Sequence, residues 1–154
     1  MALKILTPDY ILMKCKAERL SQIKNLNLYG NDLEDIQAVQ ELPNIEICSL
    51  SFNKIRSLKD FHGSKKLKEL FLRKNLIADM SELQYLSNLP NLKVLWLQNN
   101  PVCQHPLYRQ YCIYLLPHLV KLDTDTVTPE ERQQCQQMNF SEQDMKPTPQ
   151  MKQY

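Results

Sequence analysis

The chain has 154 residues, room for one folded unit with a core of its own and too little for two ordinary domains. Only 2 glycines argue against a phosphate-cradling loop, and with it against nucleotide and dinucleotide enzymes. A net charge of +2 advertises neither nucleic acid nor an anionic membrane, and 5 cysteines without a CxxC pair give neither a disulfide framework nor a zinc site, which fits a reducing intracellular compartment.

The first segment, MALKILTPDYILMK, has an apolar flavour, but Lys4, Pro8, Asp9 and Lys14 interrupt it before a signal-peptide core or a spanning helix could form. We therefore expect neither export nor a membrane anchor. Thr7, Pro8 and Asp9 read as an N-cap, a first-turn proline and an early acid, and Ile11, Leu12 and Cys15 follow at helical spacing. A helix from about Pro8 to Glu18 is expected to cover the segment that follows.

From Ile23 the chain repeats itself. IKNLNLYGN recurs as IEICSLSFN from Ile45, LKELFLRKN from Leu67 and LKVLWLQNN from Leu92, each an LxxLxLxxN unit ending at Asn31, Asn53, Asn75 and Asn100. The asparagines are 22, 22 and 25 residues apart, within the window of about 20–29 residues of leucine-rich repeats. In x-L-x-L-x the leucines alternate, so each unit predicts a short strand burying Leu26 and Leu28, Cys48 and Leu50, Leu70 and Leu72, or Leu95 and Leu97. No repeat can bury that face alone, so the units stack and their strands make a parallel sheet on the concave side. The asparagine amides, placed where the chain leaves each strand, are expected to form a structural ladder that satisfies backbone groups of adjacent turns. A second apolar set (Leu33 and Ile36, Ile55 and Leu58, Ile77 and Met80) leads to convex short helices or 3₁₀ turns, and the extra residues around SELQYLSNLP lengthen one of them.

After Asn100, Tyr108 to Leu116 predicts a helix, LVKLD from Leu119 a final strand, and Thr128, Pro129 and Glu130 the start of another helix. From Ser141 the composition turns polar, with Pro147 and Pro149 and almost no apolar spacing, the pattern of a disordered tail or linker. The expected architecture is α/β: a right-handed leucine-rich-repeat solenoid with a concave parallel sheet and helical caps at both ends. Residues 1–140 form the domain (1–20 N-terminal cap, 21–100 repeats, 101–140 C-terminal cap) and 141–154 the tail.

The register also fixes the outward residues, in three rows: Asn25, Ile47, Glu69, Val94, Lys121; Asn27, Ser49, Phe71, Trp96, Asp123; and Tyr29, Ser51, Arg73, Gln98. Phe71 falls beside Trp96, with Val94 and Ile47 near and Arg73 and Tyr29 flanking. Exposed aromatics next to arginine are the usual makings of an interface hot spot. The candidate protein-binding residues are Tyr29, Ile47, Glu69, Phe71, Arg73, Val94, Trp96 and Gln98. The competing readings are rings that merely stack along the sheet, and Arg73 with Lys74 as a solvated edge. Catalysis and metal binding find little support: His62, His105 and His118 have no plausible nucleophile beside them, and Cys103 with His105 lacks a second ligand pair. No cofactor is expected. Lys14, Lys16, Arg19 and Lys24, with Lys65, Lys66 and Lys68, read as solvated cap or convex surface, with RNA or an acidic protein surface as the alternative.

From Tyr108 to Glu131 the pattern Y-R-x-Y-x-x-x-x-L-P-x-L-x-x-L-D-x-x-x-V-T-x-E-E resembles the cap of the short intracellular repeat subfamily that includes the phosphatase regulator SDS-twenty-two and the A-prime protein of a spliceosomal particle. More narrowly, LTPDYILMKCKAERLSQIKNLNLYGNDLEDI, LFLRKNLI and VLWLQNNPVC are similar to the N-terminal domain of the cilia- and flagella-associated protein 410 family, over residues 3–135. That resemblance implies a non-catalytic scaffold of the cytoplasm and cytoskeleton at the basal body and cilium, supporting ciliogenesis. It also implies a never-in-mitosis-type kinase or another basal-body protein as partner, and a separate helical oligomerisation module at the far C-terminus. No such module follows Tyr154, so this chain is expected to be the N-terminal domain or a shortened relative, and monomeric. The rival reading is a scaffold of a nuclear ribonucleoprotein or a phosphatase-regulatory repeat protein. RNA binding that falls steeply with salt would support the ribonucleoprotein, and salt-tolerant binding of a protein segment the ciliary reading.

Overall fold

The computed structural model describes residues 4–148. Thr7 caps the first helix, α1 (Pro8–Cys15), by accepting from Tyr10 N at 3.1 Å, and Ile11 is the residue it buries. The helix stops short of the expected Glu18 because Lys16 turns left-handed (φ 53), its N–H reaching back to the carbonyls of Leu12 and Met13. Ahead of it the chain pairs with the first convex turn, Leu6 N donating to Asp35 O at 2.9 Å.

Four three-residue strands follow: β1 (Asn25–Asn27), β2 (Ile47–Ser49), β3 (Glu69–Phe71) and β4 (Val94–Trp96). They lie parallel and in the register that the repeat demands, Leu26 opposite Cys48, Leu70 and Leu95 in turn. All eight inward residues are fully buried, as alternation requires. The convex returns are 3₁₀ turns, Gln37–Glu41, Lys59–Phe61 and Met80–Leu86. The last is the longest and absorbs the extra residues of its repeat. Together these layers enclose one continuous apolar core, into which Phe61 and Met80 drop from the convex side.

The repeat asparagines bond to the backbone of adjacent turns. Asn53 Oδ1 accepts from Asn31 N (3.0 Å) and Leu33 N (2.9 Å), while its Nδ2 donates to Leu28 O (3.1 Å) and Leu50 O (2.8 Å). Asn75 and Asn100 repeat this, receiving Ile55 N and Ile77 N at 3.0 Å. Asn31, at the open end, is only half-buried and donates to Tyr29 O. The residue just before each asparagine has positive φ: Gly30 (70°), Phe52 (61°), Lys74 (58°) and Asn99 (64°).

At the C-terminal end α2 (Tyr108–Leu115) packs against the Met80–Leu86 and Pro101–Gln104 turns, and β5 (Lys121–Leu122) extends the parallel sheet. A left-handed Asp123 (φ 56) then folds the chain into an antiparallel β6 (Asp125–Thr126), a hairpin that periodicity did not announce. Thr128 caps α3 (Pro129–Gln136), its side chain accepting from Glu131 N. Arg109 on α2 grips Glu131 on α3 through two bonds of 2.7 and 2.9 Å, and Arg132 donates to the carbonyls of Ile113 and Leu119.

Up to Thr148 the chain does not leave the cap at Ser141 as its composition led us to expect. Phe140 packs against Tyr111 (5.1 Å between ring centroids) and Tyr114 (5.0 Å), and Met145 lies half-buried on the core. Between them Ser141 and Asp144 bond reciprocally, and the Lys146 carbonyl meets His105 Nε2 at 3.1 Å. Two apolar anchors around one self-capped turn suffice to hold a polar segment. Residues 149–154 of the expected tail lie outside the described residues.

Candidate protein-binding face

Alternation on the strands sends every second residue out onto the concave sheet. Ile47, Glu69 and Val94 share one row with Lys121, and Phe71 lies opposite Trp96 on the next strand. The Phe71 and Trp96 rings meet edge to face, centroids 5.3 Å apart and planes at 82°, the geometry that aromatic quadrupoles favour. Both rings are half-buried, as are Ile47, Glu69, Val94 and Gln98, while Tyr29 and Arg73 are exposed. The Trp96 Nε1–H is buried and, among the described residues, meets no acceptor.

A second aromatic group lies at the turn edge of the same face. Tyr29 packs on Phe52 with centroids 4.8 Å apart, and the Arg73 guanidinium carbon lies 5.8 Å from the Phe52 ring centroid, within cation–π range. Phe52 was missed from the sequence, because it stands where the first repeat has Gly30 and alternation assigns it no face. A bulky side chain at positive φ is a conformational outlier, and 37% of this one is exposed. Ser51 of the third row is buried instead, its Oγ accepting from Arg73 N at 3.1 Å.

Asp123 is not part of the open face. Leu28 N, Leu50 N and Leu72 N each donate to a carbonyl of the next strand (Ser49, Phe71 and Trp96), whereas Leu97 N donates to Asp123 Oδ1 at 2.7 Å. The carboxylate thus replaces the strand carbonyl at the end of the sheet, and Tyr108 donates its hydroxyl to the other oxygen at 3.0 Å. Burial holds the Asp123 carboxyl above the usual range in spite of these donors.

The edge where the strands begin is basic. Lys24, Lys68 and Lys93 each stand immediately before a strand, with Glu46 in the same place before β2. Lys68 pairs with Glu46 at 2.8 Å, and that bond holds the Glu46 carboxyl below its ordinary value. Lys65 and Lys66 reach Asn88 O and Asn44 Oδ1.

The reactive side chains elsewhere are muted. Burial pushes the Cys48 and Cys103 thiols up to about 12, Cys103 also facing Asp123. His105 is buried, with Nδ1 accepting from Leu107 N at 3.0 Å, which leaves its proton on Nε2, toward the Lys146 carbonyl. Among the described residues no group of three His, Cys, Asp or Glu side chains could hold a metal ion, and no helix is long and apolar enough to cross a membrane.

Residues 12–150 match the leucine-rich-repeat family. The chain is 42% identical over 128 residues to the mouse cilia- and flagella-associated protein 410, covering 82% of this chain and 51% of that protein. Its human counterpart is also 42% identical, over 82% and 50% of the two lengths. The chain thus spans about half the length of the curated relatives it matches. Among solved structures it is similar to a chain of the Drosophila melanogaster SNF/U2A′ complex, with TM-score 0.72 and 25% identity, covering 92% of this chain and 78% of that one.

Proposed function

Since the chain belongs to the leucine-rich-repeat family, we propose that it is a non-catalytic scaffold that binds a protein partner through its concave face. The observation that carries this reading is the Phe71–Trp96 pair, two large rings held edge to face on a sheet surface where neither completes the core. A soluble fold gains little from leaving such rings half-open, whereas a partner gains two rigid anchors at small entropic cost. Tyr29, Ile47, Glu69, Arg73, Val94 and Gln98 complete the contact surface, and Phe52 extends it over the turn edge. Similarity to the cilia- and flagella-associated proteins supports a place at the basal body and cilium, in support of ciliogenesis. A never-in-mitosis-type kinase is the first partner to test.

The decisive measurement pairs localisation with capture. A tagged chain should concentrate at basal bodies, and Trp96→Ala should weaken partner binding by about 2 kcal/mol or more while melting like wild type. Lys65→Ala and Lys66→Ala, away from the face, should bind normally. The likeness to the SNF/U2A′ complex favours a second reading, a scaffold within a nuclear ribonucleoprotein. Nuclear residence with no basal-body signal would select it.

A further inference from the structure

We propose that the concave face takes an acidic segment bearing one large apolar or aromatic side chain. That side chain seats on Phe71, Trp96 and Val94, and flanking carboxylates meet Lys93 and Lys121 on one side and Arg73 on the other. The inference rests on the concave-face reading above and specifies the chemistry of its partner.

Charge placement carries the argument. The Lys93 carbonyl accepts from Val120 N at 2.8 Å and Lys121 N at 3.0 Å, so the two lysines stand on neighbouring turns, and Lys121 lies in register with Val94. One repeat earlier the equivalent cation, Lys68, is already matched by Glu46 at 2.8 Å. Among the described residues no carboxylate lies within ion-pair distance of Lys93, Lys121 or Arg73. Lys24, before β1, also lacks an ion pair but stands in the field of Glu46, whose carboxyl it helps to lower; Lys93, Lys121 and Arg73 are the unpaired cations that flank the aromatic pair. Glu69 lies in the Val94 row between Ile47 and Val94. A uniform polyanion would have to lay phosphates over it, whereas a segment with acids only at its flanks avoids it. Opposite charges arranged in this way fix register and speed encounter more than they add raw affinity.

The test is selection of a random-peptide display library on the chain. Peptides that combine Asp or Glu with an aromatic or large aliphatic residue should be enriched, and their binding should fall with salt. The double charge reversal Lys93→Glu, Lys121→Glu, on exposed and half-exposed side chains, should lower the affinity of those peptides at least about tenfold and enrich basic-flanked ones instead. Aromatic peptides without acids, still lost on Trp96→Ala, would overturn the acidic chemistry and leave the concave face standing. Enrichment indifferent to both Phe71→Ala and Trp96→Ala, or no enrichment at all, would overturn both. Poly-uridylate binding more tightly than any selected peptide would mark a nucleic-acid surface and defeat the proposal.

Discussion

Asn53 engages both ends of its amide with backbone groups of two adjacent turns, three of these bonds buried and the one from Asn31 N part-buried. Alanine there would strand those N–H and C=O groups, each at a cost of about 1–3 kcal/mol if no water reaches it. We expect Asn53→Ala to lose at least about 2 kcal/mol in denaturant titration, and Asn31→Ala, whose half-exposed amide donates to Tyr29 O and accepts a long 3.5 Å bond from the Tyr10 hydroxyl, to lose far less. Equal losses would show that the ladder's bonds are not what stabilises it. Asp123 supplies a pH signature. Its carboxyl is raised above the ordinary value of 3.8, chiefly by burial, so just above that pH the folded chain keeps a proton that the unfolded chain releases. Where the folded state binds more protons, stability falls as pH rises. Asp123→Asn keeps an oxygen for Leu97 N, and the Tyr108 hydroxyl can turn to accept from its amide. The variant should lose this part of the acid-side slope when melting is followed from pH 4 upward, and an unchanged slope would remove Asp123 from the account.

Strands β1 to β4 were legible because a slip of one residue would turn Leu26, Cys48, Leu70 or Leu95 away from the core, and the asparagine at a fixed distance after each excludes a slip of two. The same rule handed over Phe71 and Trp96 as outward neighbours. It could not reach Phe52, whose exposure follows from the left-handed turn before each ladder asparagine, or Asp123, whose place as a substitute carbonyl exists only where the sheet ends. The segment after Phe140 escaped for a different reason. Phe140 and Met145 are five apart with four polar residues between, which matches neither helix nor strand, so composition spoke for disorder. In the fold Phe140 closes a ring cluster with Tyr111 and Tyr114. Ending the chain at Asn139 should therefore cost about 1–2 kcal/mol, part of the burial value of one aromatic side chain. Phe140→Ala in the full chain should reproduce most of that loss in the same melt. If the shortened chain melts like wild type, the docked segment adds nothing to stability.

A repeat stack is stable only as a series of neighbour interfaces, and it must be closed where the series ends. At the C-terminal side the closure has three parts: β5 takes the edge of β4, α2 covers the buried flank with Tyr108, Tyr111 and Cys112, and Asp123 occupies the last open donor. Arg109 and Glu131 tie α2 to α3, a pair about 70% removed from solvent on each side chain, at 28% and 30% exposure. Removing everything after Asn100 deletes all of these at once while leaving four complete LxxLxLxxN units. It would bare one flank of Leu95 and Leu97 together with a strand edge whose N–H and C=O groups face outward, the arrangement that pairs with other chains. We expect the fragment ending at Asn100 to elute from size exclusion as aggregate and to melt without a cooperative transition. The Phe71–Trp96 pair and Lys93 lie within the retained repeats, but Lys121 is deleted with β5, so loss of peptide binding by this fragment would not separate loss of the sheet from loss of that contact. A monomeric fragment that melts cooperatively would show that the repeats close themselves, and the segment from Pro101 onward would then have to be explained by some role other than capping.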